Sequence, residues 1–178
     1  MRNKEYNALF RDMARRHIDI QHTEKECRFL RMTLSSDPVA RMLDLREFYD
    51  ALAGKLKLNG KCAMVLQSYE ADYNDNEGDH YTKEFIGGMI ILGKVKQGDY
   101  DQQEEVQDKT EEIGEDILGM VLEQFGASYS PHRHMTASDI SSQKVGPVGD
   151  NFYGTRFDFS FSEPAGQALI AKPEKFID

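Results

Sequence analysis

The amino-acid sequence predicts an α+β fold, a mostly antiparallel sheet with a long hairpin and helices packed on one face. Three observations carry that expectation. Two strand-like runs, CAMVLQSYEA and YTKEFIGGMIILGKVK, flank the turn-rich stretch DYNDNEGDH, which is the signature of a hairpin with an extended tip. Late in the chain, FYGTRFDFSFS alternates Phe157, Phe159 and Phe161 with Arg156, Asp158 and Ser160, the period of a strand with one face on a core. Apolar residues at helical spacing precede and follow the hairpin.

Taken in order, residues 3–17 read as an amphipathic helix, with Tyr6, Leu9, Phe10 and Met13 on one face. Its last turn carries Arg15, Arg16 and His17, which suit the negative end of the helix dipole. Residues 18–35 are ambiguous. Thr23 and Glu26 fit a capping box and favour a short helix, while CRFLRMTL reads equally as a strand. Ser36-Asp37-Pro38 then places cap candidates before a proline, and a helix follows to about Leu58, ended by Asn59-Gly60. Residues 62–71 and 81–96 form the hairpin strands. Gly87-Gly88 in the second points to a bulge or to another group approaching the backbone closely. The longest helix spans residues 99–125 and buries Val106, Ile113, Ile117, Leu118, Val121, Leu122 and Phe125. Gly114 and Gly119 inside it each cost roughly 1 kcal/mol unless a neighbour packs closely there. Residues 128–150 read mostly as loop, residues 152–162 as the final strand, and the rest as an irregular tail. One domain is expected, with 38–162 as its core, 1–37 as an N-terminal helical extension and 163–178 as a tail.

Composition bounds the function. The chain has 178 residues and a net charge of −9, unevenly spread. Residues 1–62 hold 13 Lys/Arg against 9 Asp/Glu, and residues 63–178 hold 9 against 22. An acidic body argues against wrapping a nucleic-acid backbone, which needs clustered cations. Unlike charge at the two ends suits unlike faces of identical subunits. Two cysteines, Cys27 and Cys62, are too few for a disulfide framework and sit beside apolar residues, as buried free thiols do. No apolar run approaches the roughly 20 residues of a membrane span, and MRNKEYNALF lacks the apolar stretch of a signal peptide. A cytoplasmic site of assembly is the expectation.

Signatures of chemistry are weak. Asp72, Asn74 and Asn76 match the opening of an EF-hand calcium loop, but Glu77 stands where its glycine belongs and Lys83 where its closing glutamate belongs. His132 and His134 are spaced to share a metal from a strand, without an evident third ligand. Phosphate-binding glycine loops, nucleophile elbows and zinc-protease motifs are absent from the sequence. No catalytic, cofactor or metal residues are therefore assigned, and the chain is not expected to be an enzyme.

The order ARMLDLREFYDAL, CAMVLQSYEADY with KEFIGGMIILGKV, EEIGEDILGMVLEQF and TRFDFSFS resembles that of phage tail-completion proteins, or tail terminators, and of head–tail connectors. The resemblance covers roughly residues 38–162 and rests on element order and hydrophobic pattern. It implies a self-assembling virion protein, formed in the host cytoplasm, that makes a ring, commonly a hexamer. It implies contacts to other virion proteins, a lumen through which DNA passes without sequence-specific binding, no membrane and no cofactor. The charge split then assigns subunit contacts to Arg28 and Arg31 on the basic side and to Asp72, Asp75, Glu77 and Asp79 on the acidic side. An acidic binding or adaptor module is the alternative, and a metal-dependent enzyme using His132 and His134 the third reading.

Overall fold

A computed structural model describes residues 1–33, 38–75, 81–126, 134–149 and 151–177. The described residues form helix α1 (Asn3–Arg16), strand β1 (Phe29–Met32), α2 (Pro38–Lys55), β2 (Ala63–Asp75), β3 (Tyr81–Lys94), α3 (Tyr100–Phe125), β4 (Ile140–Val148) and β5 (Phe152–Pro164). Short 3-10 turns precede β4 and follow β5. The strands make one sheet in the order β1-β2-β3-β5-β4. Every pairing is antiparallel except β1 with β2. The expected α+β fold is therefore what the chain adopts.

The core explains why these segments take these forms. Phe157, Phe159 and Phe161 do alternate inward, each about 2% exposed, and burying each contributes roughly 2 kcal/mol. They meet Met64 and Leu66 of β2, and Phe85, Met89 and Ile91 of β3. Two helices cover this face. α1 sets Tyr6, Phe10 and Met13 on it, and α3 sets Ile113, Ile117, Leu118, Val121 and Phe125. Phe10 stacks on Phe159 at 5.4 Å and Phe85 on Phe161 at 4.9 Å, ring centre to ring centre. The helices do not all share this face. α2 lies on the opposite one, where Phe48 and Leu52 pack with Val65, Leu92 and Phe152.

Residues 1–33 are built into this body rather than appended to it. Tyr6 and Phe10 are fully buried, and β1 adds a strand to the sheet. The ambiguous stretch at 18–35, of which residues 34 and 35 lie outside the described residues, resolves over 18–33 to turns followed by a strand, not to a helix, because Phe29 and Met32 bury on opposite faces beside β2. Residues 140–148, expected as loop, form β4 along β5.

Close approach explains Gly87 of the sheet and Gly114 of α3. A Cβ on Gly87 would lie 2.5 Å from the Tyr6 hydroxyl and 2.9 Å from the Phe159 ring. The bulge expected near Gly87-Gly88 sits on the partner strand, between Gln67 and Glu70. Gly114 admits the Phe157 ring, so the helix gains close packing where it loses propensity.

Candidate functional site

Two surfaces of opposite charge stand out, and both lie toward the β1–β2 edge of the sheet. The first is a cleft of about 950 Å³ that runs along β1. Strand residues Leu30, Arg31 and Thr33 line it, with α1 on one side and the end of α2 on the other. α1 contributes Asn3, Asn7, Arg11 and Arg15, and α2 contributes Ala51 and Lys55. Arg11 and Arg15 stand one helical turn apart, so they share a face. That face is turned from the Tyr6 and Phe10 face because the latter is consumed by the core. Arg31 points to the α1 side, since it aligns with Leu66 of the main core.

Among the described residues, Arg11, Arg15, Arg31 and Lys55 make no ion pair. Arg11 lies over the Phe29 ring at 5.5 Å, a contact that orients the guanidinium without neutralising it. His22 registers the resulting field. Its ring, facing the cleft, is held below the usual histidine range first by burial and then by the charges of Arg11, Arg15 and Arg28. Its Nδ1 accepts the Arg28 backbone N–H at 3.2 Å, which suits the neutral ring.

The second surface is the outer half of the β2–β3 hairpin. Alternation puts Glu70, Asp72, Glu84 and Ile86 on the face that α2 covers farther up, next to Ile90. On this half Ile86 is 43% exposed. Asp72 stands directly opposite Glu84, a like-charged cross-strand pair that repels in the isolated chain. Glu70, Asp72 and Asp75 are all exposed. On the other face of the hairpin, Lys83 lies over the Tyr69, Tyr73 and Phe85 rings and is buried, so it is directed away from Glu70, Asp72 and Glu84.

The contact residues expected from the charge split divide. Arg31, Asp72 and Asp75 are exposed on the two surfaces. Glu77 and Asp79 lie outside the described residues. Arg28 is corrected, because it is 2% exposed and its guanidinium is consumed within the chain. Nε donates to the carbonyls of Lys57 and Leu58, both at 3.0 Å, and Nη1 donates to Ile20 and Gln21 at 3.2 and 2.8 Å. Nη2 pairs with Glu26. Arg28 thus ties the turn after α1 to the segment after α2. Arg11, Arg15 and Lys55 were not singled out from the sequence. The i, i+4 spacing of Arg11 and Arg15 was available as a signal, but their convergence with Arg31 and Lys55 needs the fold.

Groups suited to other chemistry are dispersed. His134 bridges Ser162 through the backbone and lines a recess of about 200 Å³ with Glu84 and Asp139, while His132 lies outside the described residues. Among the described residues no three His, Cys, Asp or Glu side chains are placed to hold a metal, and no helix is long and apolar enough to cross a membrane. Cys62 is buried and its thiol is pushed up to about 11 by that burial, which keeps it protonated and unreactive at neutral pH. Cys27 is a free, half-buried thiol. No protein-family model matches the chain, and no curated protein matches it in sequence.

Proposed function

We propose that this protein is a structural subunit that assembles with copies of itself through head-to-tail contacts, as the ring-forming tail terminators and head–tail connectors of tailed phages do. One observation carries the reading. A single chain bears a cleft lined by cations that make no ion pair among the described residues and, elsewhere on its surface, an exposed group of carboxylates. Two different patches that complement each other make a heterologous contact, which propagates around a ring when the rotation closes. A twofold dimer would instead set like against like. In a closed ring the contacts are made together, so pairs worth roughly 0–1 kcal/mol each at a surface add up.

α3 gives a second surface to such an assembly. It carries nine carboxylates and one lysine over Tyr100–Phe125, with the apolar stripe turned to the core. Facing a lumen, that surface would repel DNA and let it pass without adhering. The same surface favours a second reading, an adaptor that offers acid to a basic partner.

Native mass at low and high salt, by light scattering on a sizing column, separates the two. The ring reading expects a discrete oligomer at low salt that dissociates as the screening length falls from roughly 10 Å at 0.1 M toward 3 Å at 1 M. A monomer at every salt and protein concentration refutes it and leaves the adaptor.

A further inference from the structure

We propose that residues 70–75 of β2 in one copy add as a strand to the outer edge of β1 in the next copy, within the basic cleft. The inference rests on the self-assembly reading above and specifies its contact. Among the described residues, β1 pairs with β2 alone, and that pairing ends at Met32 with Gln67. Beyond the bulge, β2 pairs with β3 and with no other strand among the described residues. Both edges therefore present main-chain donors and acceptors outward, which is the requirement for strand addition.

Shape agrees with this. The floor of the cleft is the β1 edge itself, and α1 and α2 rise on either side of it, leaving a slot for an extended chain. The hairpin end is built to enter a slot, because residues 72–75 are exposed and neither hydrophobic core includes them. Charge selects the occupant. Arg11, Arg15, Arg31 and Lys55 outnumber Glu24 around the slot, with Glu47 and Asp50 of α2 on the adjoining recess, whereas Glu70 and Asp72 line the incoming strand. A cation such as Arg31 on an edge strand ordinarily blocks indiscriminate pairing. Here it admits an acidic strand and rejects others. Seating the hairpin also brings guanidinium groups to the Asp72–Glu84 pair and relieves its repulsion.

The contact is heterologous, so it can be tested by capping. One variant carries Arg11→Glu and Arg31→Glu, which spoils the cleft and keeps the edge. The other carries Glu70→Ser and Asp72→Ser, which spoils the edge and keeps the cleft. Each alone is expected to be monomeric, and an equimolar mixture to give a discrete 1:1 heterodimer, capped at both ends. In the wild-type assembly, amide exchange in residues 29–33 and 70–75 is expected to slow by roughly tenfold or more. Where circular dichroism shows a double variant unfolded, Arg31→Gln and Asp72→Asn replace it, since both side chains are exposed. Wild-type assembly with unchanged exchange at residues 29–33, or variants that assemble as the wild type does, overturns the strand pairing and leaves self-assembly standing. A wild-type chain that stays monomeric overturns both. Protection of residues 29–33 by duplex DNA, and not by a second copy, overturns the pairing in favour of a nucleic-acid surface.

Discussion

Arg28 shows how a charge can serve the fold rather than the surface. Its planar fork reaches carbonyls from two separate segments at once, a geometry that a lysine ammonium cannot reproduce. Arg28→Lys is expected to lower stability by about 2–3 kcal/mol, since it strands buried acceptors, and a urea midpoint shift checks this. A change below about 0.5 kcal/mol would show that the carbonyls find other donors. His22 gives a pH effect with a definite sign. Its folded-state value is lowered, so above pH 6.5 both states are neutral and it contributes no pH dependence. As pH falls below 6.5 the unfolded chain takes up the proton first, and stability declines until the folded-state value is passed. Asp19, held low by its hydrogen bond to Lys109, and Glu26, held low by Asn59 and Arg28, lose their contributions only as pH drops past their ordinary values of 3.8 and 4.5. A decline in stability that begins near neutrality, and that His22→Asn flattens, is the expected result. An unchanged slope in that variant would assign the decline elsewhere. At this scale the sequence was a poor guide to role. Arg28 and Arg31 are three residues apart with the same charge, and only the burial of one and exposure of the other separates them.

Among the elements, α3 offers a matched pair of substitutions. Gly114 and Gly119 both sit inside the helix, and helix propensity alone favours alanine at each by about 1 kcal/mol. The surroundings differ. A Cβ at Gly119 meets nothing within 4 Å, while one at Gly114 lies 2.7 Å from Phe157 Cδ2 and closer still to its Cε2 and Cζ. Gly119→Ala is therefore expected to raise stability by up to about 1 kcal/mol. Gly114→Ala should lower it by about 1–2 kcal/mol, as overpacking exceeds the propensity gain. Thermal melts of the two variants check the opposite signs, and equal shifts would remove the account of Gly114 as a packing notch. The long elements were legible because burial imposes a period on them. α1, the hairpin, α3 and β5 each show their core face as a regular stripe. β4 shows none, since Ser141, Ser142, Gln143 and Lys144 are all exposed and the strand is held by pairing with β5. β1 is four residues long, with Leu30 and Met32 apolar on one face and Phe29 beside Arg31 on the other, so its pattern is too short to separate strand from helix. The placement of α2 on the opposite face from α1 and α3 also lies beyond periodicity, which marks a buried stripe but not the side of the sheet that buries it.

At the scale of the whole molecule, the charge split between the first third and the rest was visible in the sequence, whereas the cleft was not. Its cations come from α1, β1 and α2, and only the parallel placement of β1 beside β2 brings those elements to one edge. The split separates stability from assembly, which leads to the last prediction. Residues 72–75 and 81–82 are exposed, and both hydrophobic clusters are formed by residues outside them. Deleting residues 72–79 removes the hairpin end, the cross-strand pair of Asp72 with Glu84 and the Lys83–Tyr73 contact. None of these anchors the core, so the melting temperature is expected to stay within about 5 °C, a change of order 1–2 kcal/mol for a chain of this size. Assembly should be lost completely, because the deletion takes away most of the acidic edge while leaving the cleft intact. A folded monomer at low salt, where the full chain forms a discrete oligomer, is the expected outcome by light scattering. Intact oligomers from the shortened chain would remove the hairpin from the contact. An unfolded product would instead show that this end of the sheet supports the core, contrary to its exposure.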